Sequence, residues 1–384
     1  MNSDHWNLPP RIEEEWRSRA GDNLLPARVI HQLHYEYTCV LPSTRFASEG
    51  GREGRRPENV QTLSARVRGA RRNEWQENSA FPVVGDWVLL SLLPGGQEGI
   101  IEDLFLRRGE IRRWAAGERT EPQVIAANVD CLLLVFAMEG ERNFLGNMIE
   151  RSLTAAWSSG AQPVIVVNKI DCASKDLCAA VRTEAENLSV GVPVFMLSAR
   201  SMEGINELVS YITAGQTVAM LGKSGVGKSS LVNALFSFGG GGSGPAREGE
   251  IREDGRGRHT TTESRLYPLP WGSFIVDVPG LRELKLWSDE ADLARSFPDM
   301  EELIQHCQFR NCSHSSEPGC AVRNALEDGR LTQRRYESYK KLRGEIQNLE
   351  KRQLERSAIR ERQKNHQKSS QKNHQKSHQK KKWK

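Results

Sequence analysis

The chain has 384 residues, 38% hydrophobic and 27% charged, which is material for two or three domains with real cores and excludes a disordered polymer. Its net charge of +5 hides a division: residues 351–384 carry 13 basic and 2 acidic side chains, so the first 350 residues sum to −6, and a basic stripe belongs to one segment. No apolar run has the length of a membrane span, and the segment from Met1 to Trp16 lacks the apolar stretch of a signal peptide, so a cytoplasmic chain with no membrane partner is expected.

Residues 1–26 are polar and read as a flexible N-terminus. From Ala27 to about Arg113 the pattern is short and strand-like: Tyr35, Tyr37 and Cys39 alternate with polar neighbours, as do Leu63, Ala65 and Val67, followed by the apolar runs at Val83–Leu90 and Gly99–Ile101. This predicts a small closed β-barrel over 27–113. Between its first strands, Ser43 to Val60 holds Arg45, Arg52, Arg55 and Arg56 and is either a loop of an oligonucleotide-binding barrel that touches RNA or a solvated linker. Arg107 to Asn128 reads as a charged connector.

The run Val129–Ala137 is continuously apolar, the helical stretch Phe144–Ser158 follows, and Pro163–Val167 is again continuously apolar. Such runs fit strands covered on both faces of a parallel sheet, and the alternation with helices predicts a doubly wound α/β layer. The second strand ends in Asn168-Lys169-Ile170-Asp171, the NKxD pattern that reads guanine in GTPases. The Asp171 carboxylate can accept from both the ring N–H and the exocyclic amine of guanine, which adenine lacks, and the Lys169 stem can pack on the base. The wrong base would leave that carboxylate desolvated and unpaired. After the strand Gly191–Leu197, the turn Ser198-Ala199-Arg200 offers N–H groups to the guanine carbonyl, and Ile205, Leu208, Val209 and Ile212 mark the next helix.

The strand Thr217–Leu221 then leads into Gly222-Lys223-Ser224-Gly225-Val226-Gly227-Lys228-Ser229-Ser230, which satisfies the phosphate-binding pattern G-x-x-x-x-G-K-[ST] ahead of a helix. Its glycines let backbone N–H groups turn onto phosphates, Lys228 adds a charge and Ser229 a hydroxyl for Mg²⁺. The base-reading motifs precede this loop, the reverse of the common order, so the domain is circularly permuted.

Gly239 to Thr262 is too glycine-rich and charged to order alone. It occupies the first switch position, with Thr260, Thr261 and Thr262 offering hydroxyls to Mg²⁺ or the γ-phosphate and His259 beside them. A strand pair, Arg265–Leu269 and Ser273–Val276, leads to Asp277-Val278-Pro279-Gly280; this DxxG supplies a carboxylate to the magnesium shell and the Gly280 N–H to the γ-phosphate. Leu281 stands where a Ras-like enzyme has its water-orienting Gln, so the catalytic group is sought elsewhere, at His259 with Thr261; the alternative for His259 is contact with rRNA or solvent. Cys307, Cys312, His314 and Cys320 form a Cys₃His set suited to a structural tetrahedral zinc with no open position. Cys39, Cys131, Cys172 and Cys178 are scattered and read as packing residues. From Leu331 a long helix is expected, with Tyr336, Tyr339, Leu342, Ile346 and Leu349 on one face. The tail repeats QKNHQKS at 363–369 and 371–377 and reads as a basic tail, disordered when free, whose lysines would line one face if it became helical on a polyanion.

The motifs NKID, SAR, GKSGVGKSS, GRGRHTTT and DVPG, followed by the Cys₃His cluster, resemble the RsgA (YjeQ/YloQ) GTPases of bacterial small-subunit ribosome assembly over about Ala27 to Leu349. The resemblance implies an OB-fold barrel (27–113), a circularly permuted P-loop GTPase domain (114–286) and a small, mainly helical zinc domain (287–355), with 1–26 and the tail 356–384 outside them. It further implies GTP and GDP as ligands, Mg²⁺ and one structural Zn²⁺ as cofactors, the small ribosomal subunit and its rRNA as partners of a monomeric protein, and hydrolysis that the subunit stimulates and that controls release late in maturation. DVPG departs from the family's more usual DTPG, Gly239–Gly244 is a local expansion, and the lysine repeats lie outside the pattern. An RNA-binding factor in which nucleotide only sets conformation is the rival function; intact Lys228, Ser229 and Asp277 favour the enzyme.

Overall fold

The computed structural model describes residues 6–19, 24–42, 61–77, 81–114, 122–138, 146–238, 264–277, 290–348, 350–351 and 355. The chain divides into two compact units, 1–287 and 288–384. In the first unit β1 (Leu24–Leu33), β2 (Glu36–Val40), β3 (Thr62–Val67), β4 (Trp87–Leu92) and β5 (Glu98–Leu104) run in the order β1-β2-β3-β5-β4, and β4 pairs back onto β1. The barrel is therefore closed, with β3 and β5 parallel and α2 (Gly69–Glu77) between β3 and β4, which is the OB topology. Inward alternation fills it: Ala27, Val29, Tyr37, Cys39, Leu63, Ala65, Val88, Leu90 and Ile101 are all buried.

Two expectations are corrected in this region. Residues 6–19 are not a flexible leader: α1 (Pro10–Arg19) is a helix, and Trp6, Leu8 and Ile12 are buried, the last two against Trp87, Leu89 and Phe105. The cause is the four-residue spacing of Leu8, Ile12 and Trp16, one apolar stripe in an otherwise charged segment. Nor is 107–128 a bare connector, because β6 (Glu110–Trp114) and β7 (Pro122–Ala127) form an antiparallel hairpin that buries Ile111, Ile125, Ala126 and Ala127. A domain boundary at 113/114 falls inside β6.

The α/β layer contains β8 (Cys131–Ala137), α3 (Gly146–Ser158), β9 (Gln162–Asn168), α4 (Lys175–Leu188), β10 (Val194–Met196), α5 (Ile205–Tyr211), β11 (Thr217–Leu221), α6 (Lys228–Ser237), β12 (Ser264–Pro268) and β13 (Phe274–Asp277). Its strand order is β10-β9-β8-β11-β13-β12, parallel except for β12. Successive residues of β8 feed opposite faces: Leu132 and Leu134 pack with Ile149, Leu153 and Val181 of α3 and α4, whereas Leu133 and Val135 pack with Leu208, Leu231 and Leu235 of α5 and α6. Burial on both sides is why the run lacks polar alternation. The phosphate loop follows β11, in the middle of the sheet, and the strands carrying the base-reading motifs come earlier in the chain but lie beside it, so the domain is circularly permuted.

Strand β1 belongs to both layers. Residues 24–28 of one edge close the barrel on β4, while His31 and Gln32 pair with Arg265 and Ser264 of β12, after a register shift between Val29 and His31. Barrel and α/β layer thus share one eleven-stranded sheet. Between the two pairings sits the turn 83–86, where Gly85 has φ +91 and a Cβ would lie 2.1 Å from Ala127 O. Asp86, fully buried, accepts from Arg107 Nε at 2.8 Å and Nη2 at 2.7 Å and from Val83 N at 2.8 Å.

The second unit packs α7 (Glu290–Ser296), α8 (Pro298–Gln305), α9 (Ala321–Glu327) and α10 (residues 333–348) around Leu293, Phe297, Met300, Val322, Tyr336, Tyr339, Leu342 and Ile346. Among the described residues no helix is long and apolar enough to cross a membrane.

Removing Asp86 takes from the largely buried Arg107 one of its two carboxylates, Glu110 remaining at 3.2 Å, so Asp86→Ala is expected to destabilise the first unit by up to about 3–5 kcal/mol. The exposed pair Arg17–Glu13 serves as the control, its loss costing under ~1 kcal/mol. Urea unfolding of the two variants measures the difference.

Candidate functional site

The site lies at the carboxyl ends of β9, β8 and β11, where a doubly wound sheet binds ligands. Asn168, the last residue of β9, is 2% exposed and ties three segments together. Its Nδ2 donates to Val226 O at 3.0 Å and Gly227 O at 3.5 Å in the phosphate loop. Its Oδ1 accepts from Lys169 N at 2.8 Å and from Ala199 N at 3.0 Å. NKxD, the Ser-Ala turn and the phosphate loop therefore meet at one amide side chain.

Local backbone geometry explains the residue types. Gly227 has φ +91, and a Cβ there would lie 2.3 Å from Asn168 Nδ2; at Gly222 a Cβ would lie 2.3 Å from Val135 O. One glycine supplies a left-handed conformation and close approach, the other close approach alone. Lys228, the first residue of α6, folds back over the loop, its Nζ donating to Gly222 O at 2.6 Å and Lys223 O at 2.7 Å. Val226 is buried, Ser229 half-buried, and Lys223, Ser224, Gly225 and Ser230 are exposed.

Lys169 is left-handed at φ 64, which turns the chain at the end of β9 into a single 3-10 turn, Ile170–Cys172. Ile170 packs against the core. Asp171 is exposed; a hydrogen bond from the Ser198 side chain holds its carboxyl below the usual carboxylate range, and so favours the ionised acceptor a guanine requires. Ser198 is fully buried, its Oγ also accepting from Arg200 N at 3.3 Å and Ser201 N at 3.1 Å. Lys169 Cε approaches within 3.9 Å of the ideal Cβ position at Gly227, bringing the base-reading and phosphate motifs side by side.

Asp277 ends β13, the parallel neighbour of β11, and is exposed. His259, the threonines 260–262 with Thr261, and Gly280 lie outside the described residues, as do Ser43–Val60 and most of the tail.

In the second unit the ligand atoms of Cys307, Cys312, His314 and Cys320 all lie within 4.8 Å of one another. His314 Nδ1 is 3.6 Å from both Cys307 Sγ and Cys320 Sγ. Zn–S near 2.3 Å and Zn–N near 2.0 Å at tetrahedral angles give an S···N distance of about 3.6 Å, so the donor set fits zinc. Burial lowers the His314 pKa, favouring the neutral imidazole that a metal requires. The Tyr336 hydroxyl donates to His314 O at 3.2 Å. Cys39 and Cys131 are buried, Cys178 is half-buried and Cys172 is exposed.

Two features escaped the sequence. Asn168 was legible as a motif member but not as the tie between loops, for which its place at the end of a buried strand is the only signal. Gly204, where a Cβ would lie 2.3 Å from Met196 O, fixes the turn after Ser198 and carries no motif.

Comparison with known proteins agrees with this geometry. The family model described as RsgA GTPase matches residues 104–287. A protein of Oceanobacillus iheyensis named small ribosomal subunit biogenesis GTPase RsgA 1 is 39% identical over 300 residues, covering 78% of this chain and 83% of that one. The crystal structure of YjeQ from Thermotoga maritima superposes with a TM-score of 0.59 at 26% identity, covering 84% of this chain and 98% of that one. That of YloQ, described as a circularly permuted GTPase, gives 0.59 at 24% identity over 86% and 97% of the two chains, a likeness of fold.

Asn168→Ala leaves the Lys169 and Ala199 N–H groups without their acceptor and frees the loop at Val226. Each such loss costs about 1–3 kcal/mol, so nucleotide affinity is expected to fall at least about tenfold while the melting temperature of the second unit stays unchanged. Titration with a fluorescent guanine nucleotide and calorimetry check both.

Proposed function

We propose, from the premise that this chain belongs to the RsgA GTPase family, that it hydrolyses GTP in late maturation of the small ribosomal subunit and leaves the subunit when hydrolysis occurs. The observation that carries this reading is the Asn168 tie, which assembles a guanine-specific and a phosphate-binding motif into one site in a chain whose relative is named for small-subunit biogenesis.

In this reading Asp171 accepts from the base, Lys169 packs on it, and the Ser198–Ala199 turn lies beside its carbonyl, the Ala199 N–H being shared between that carbonyl and Asn168 Oδ1. Gly222 to Ser230 enclose the phosphates, with Lys228 swinging from its loop carbonyls onto the β- and γ-phosphates, and Gly280 donates to the γ-phosphate. Ser229, Thr261 and Asp277 would hold Mg²⁺, which would supply positive charge against the phosphates. His259 orients the attacking water. Its ring nitrogen and the glycine-rich composition around it support that role, as does Leu281, which cannot orient water. The Cys₃His set holds one structural zinc. The barrel and the lysine tail contact rRNA, the tail adding a salt-dependent share of affinity. The protein is cytoplasmic and monomeric.

GTP turnover measured alone, with purified small subunits and with purified large subunits tests the function. Small subunits alone are expected to stimulate turnover, and equal stimulation by both would overturn the assignment. His259→Ala should lower stimulated turnover by roughly tenfold to a thousandfold with nucleotide binding nearly unchanged. Metal analysis of protein purified without chelator is expected to give one zinc per chain, and Cys312→Ala to lose it while GTP binding persists.

A further inference from the structure

Arg28 lies in the barrel strand β1 yet is 5% exposed. Its Nη2 donates to Thr217 Oγ1, the first residue of β11, at 2.5 Å. The guanidinium stands 4.8 Å from the ring centre of Phe274, the first residue of β13, and 5.6 Å from that of Trp87 in the barrel. Thr217 and Phe274 are register partners, so one side chain of the barrel reaches the roots of both strands. Those strands end at the phosphate loop and at Asp277.

A second link runs alongside. His31 of β1 is opposite Arg265 of β12, and Arg265 is opposite Asp277 of β13, a rung across three strands from the barrel to the carboxylate.

Burying a guanidinium is expensive, and the Arg28 Nε has no hydrogen-bond partner. Burial pulls its pKa down to about 10 against the nearby Asp130, so it stays charged at neutral pH. Asp130 Oδ2 accepts from Thr217 N at 2.8 Å, completing a polar cluster at the base of β11. An apolar side chain of similar length would fill the space at lower cost. Stability alone therefore does not account for the residue.

We propose that Arg28 is a positioning residue of the nucleotide site, through which the barrel fixes the placement of the P-loop strand and of Asp277. Both strands are short, buried and hydrogen-bonded to each other, so a displacement at Thr217 or Phe274 is carried to their far ends rather than absorbed. What binds the barrel is thereby read as a change in turnover more than in nucleotide affinity. The inference rests on the GTPase reading of that site.

The test uses the full chain with saturating small subunits, well below each variant's melting temperature. In Arg28→Met and in Thr217→Val, kcat is expected to fall about tenfold, with KM for GTP within about threefold of wild type. The double variant should lose no more than either single one, and Arg28→Lys should recover part of kcat. Leu63→Ala, which cuts the barrel core without touching β11 or β13, should lower the melting temperature and keep kcat. Arg28→Met turnover within about twofold of wild type, an additive double variant, or an equal loss in Leu63→Ala would each overturn the proposal. Should Arg28→Met fail to fold, Thr217→Val decides by the same figures. A wild type without GTP turnover would instead sink the GTPase reading itself.

Discussion

One buried amide holds the nucleotide site together. Asn168 spends both ends of its side chain on backbone groups from two other segments and from its own neighbour, in a place where water cannot substitute. Two consequences follow from that burial. Position 227 has to be glycine, because the amide occupies the volume a Cβ would need; and the Ser-Ala turn has to stay where it is, because its N–H has no other acceptor within the tie. The NKxD segment, the Ser-Ala turn and the glycine-rich loop are thus held in one geometry before any ligand arrives, which is what preorganisation requires.

The permutation gives this site unusual surroundings. The phosphate-loop strand lies centrally, between β8 and β13, and the barrel that precedes it in the chain joins the same sheet through β12. A domain appended by a flexible linker could not transmit a displacement to Asp277. A shared strand can, because its backbone pairing fixes register on both sides. β1 does this by giving one edge to β4 at its start and to β12 at its end, with the Gly85 turn and the buried Asp86–Arg107 pair locking the corner between them.

Much of this was legible because chemistry constrains sequence where phosphates and bases are bound. Gly222 and Gly227 are forced by close approaches that a Cβ would block, and the continuously apolar runs at 131–137 and 163–167 are strands covered on both faces. What stayed hidden depended on contacts between segments distant in the chain. Leu8, Ile12 and Trp16 are an ordinary apolar stripe until the barrel offers Trp87 and Phe105 to cover it. The β6–β7 hairpin is masked by its charge: Arg112 is exposed while Ile111 and Ile125 are buried. Arg28 has no pattern at all: only the folded chain reveals that it sits beneath Thr217, 189 positions away.

If Asp171 reads guanine within the site that Asn168 assembles, changing its carboxylate should change which base the protein prefers. Affinities of wild type and Asp171→Asn for GTP and for the xanthine nucleotide are compared by competition. The substitution replaces one of two acceptors by a donor, so GTP should weaken by about tenfold or more while the xanthine nucleotide gains. Unchanged GTP affinity in Asp171→Asn, with no gain for the xanthine nucleotide, would contradict the account.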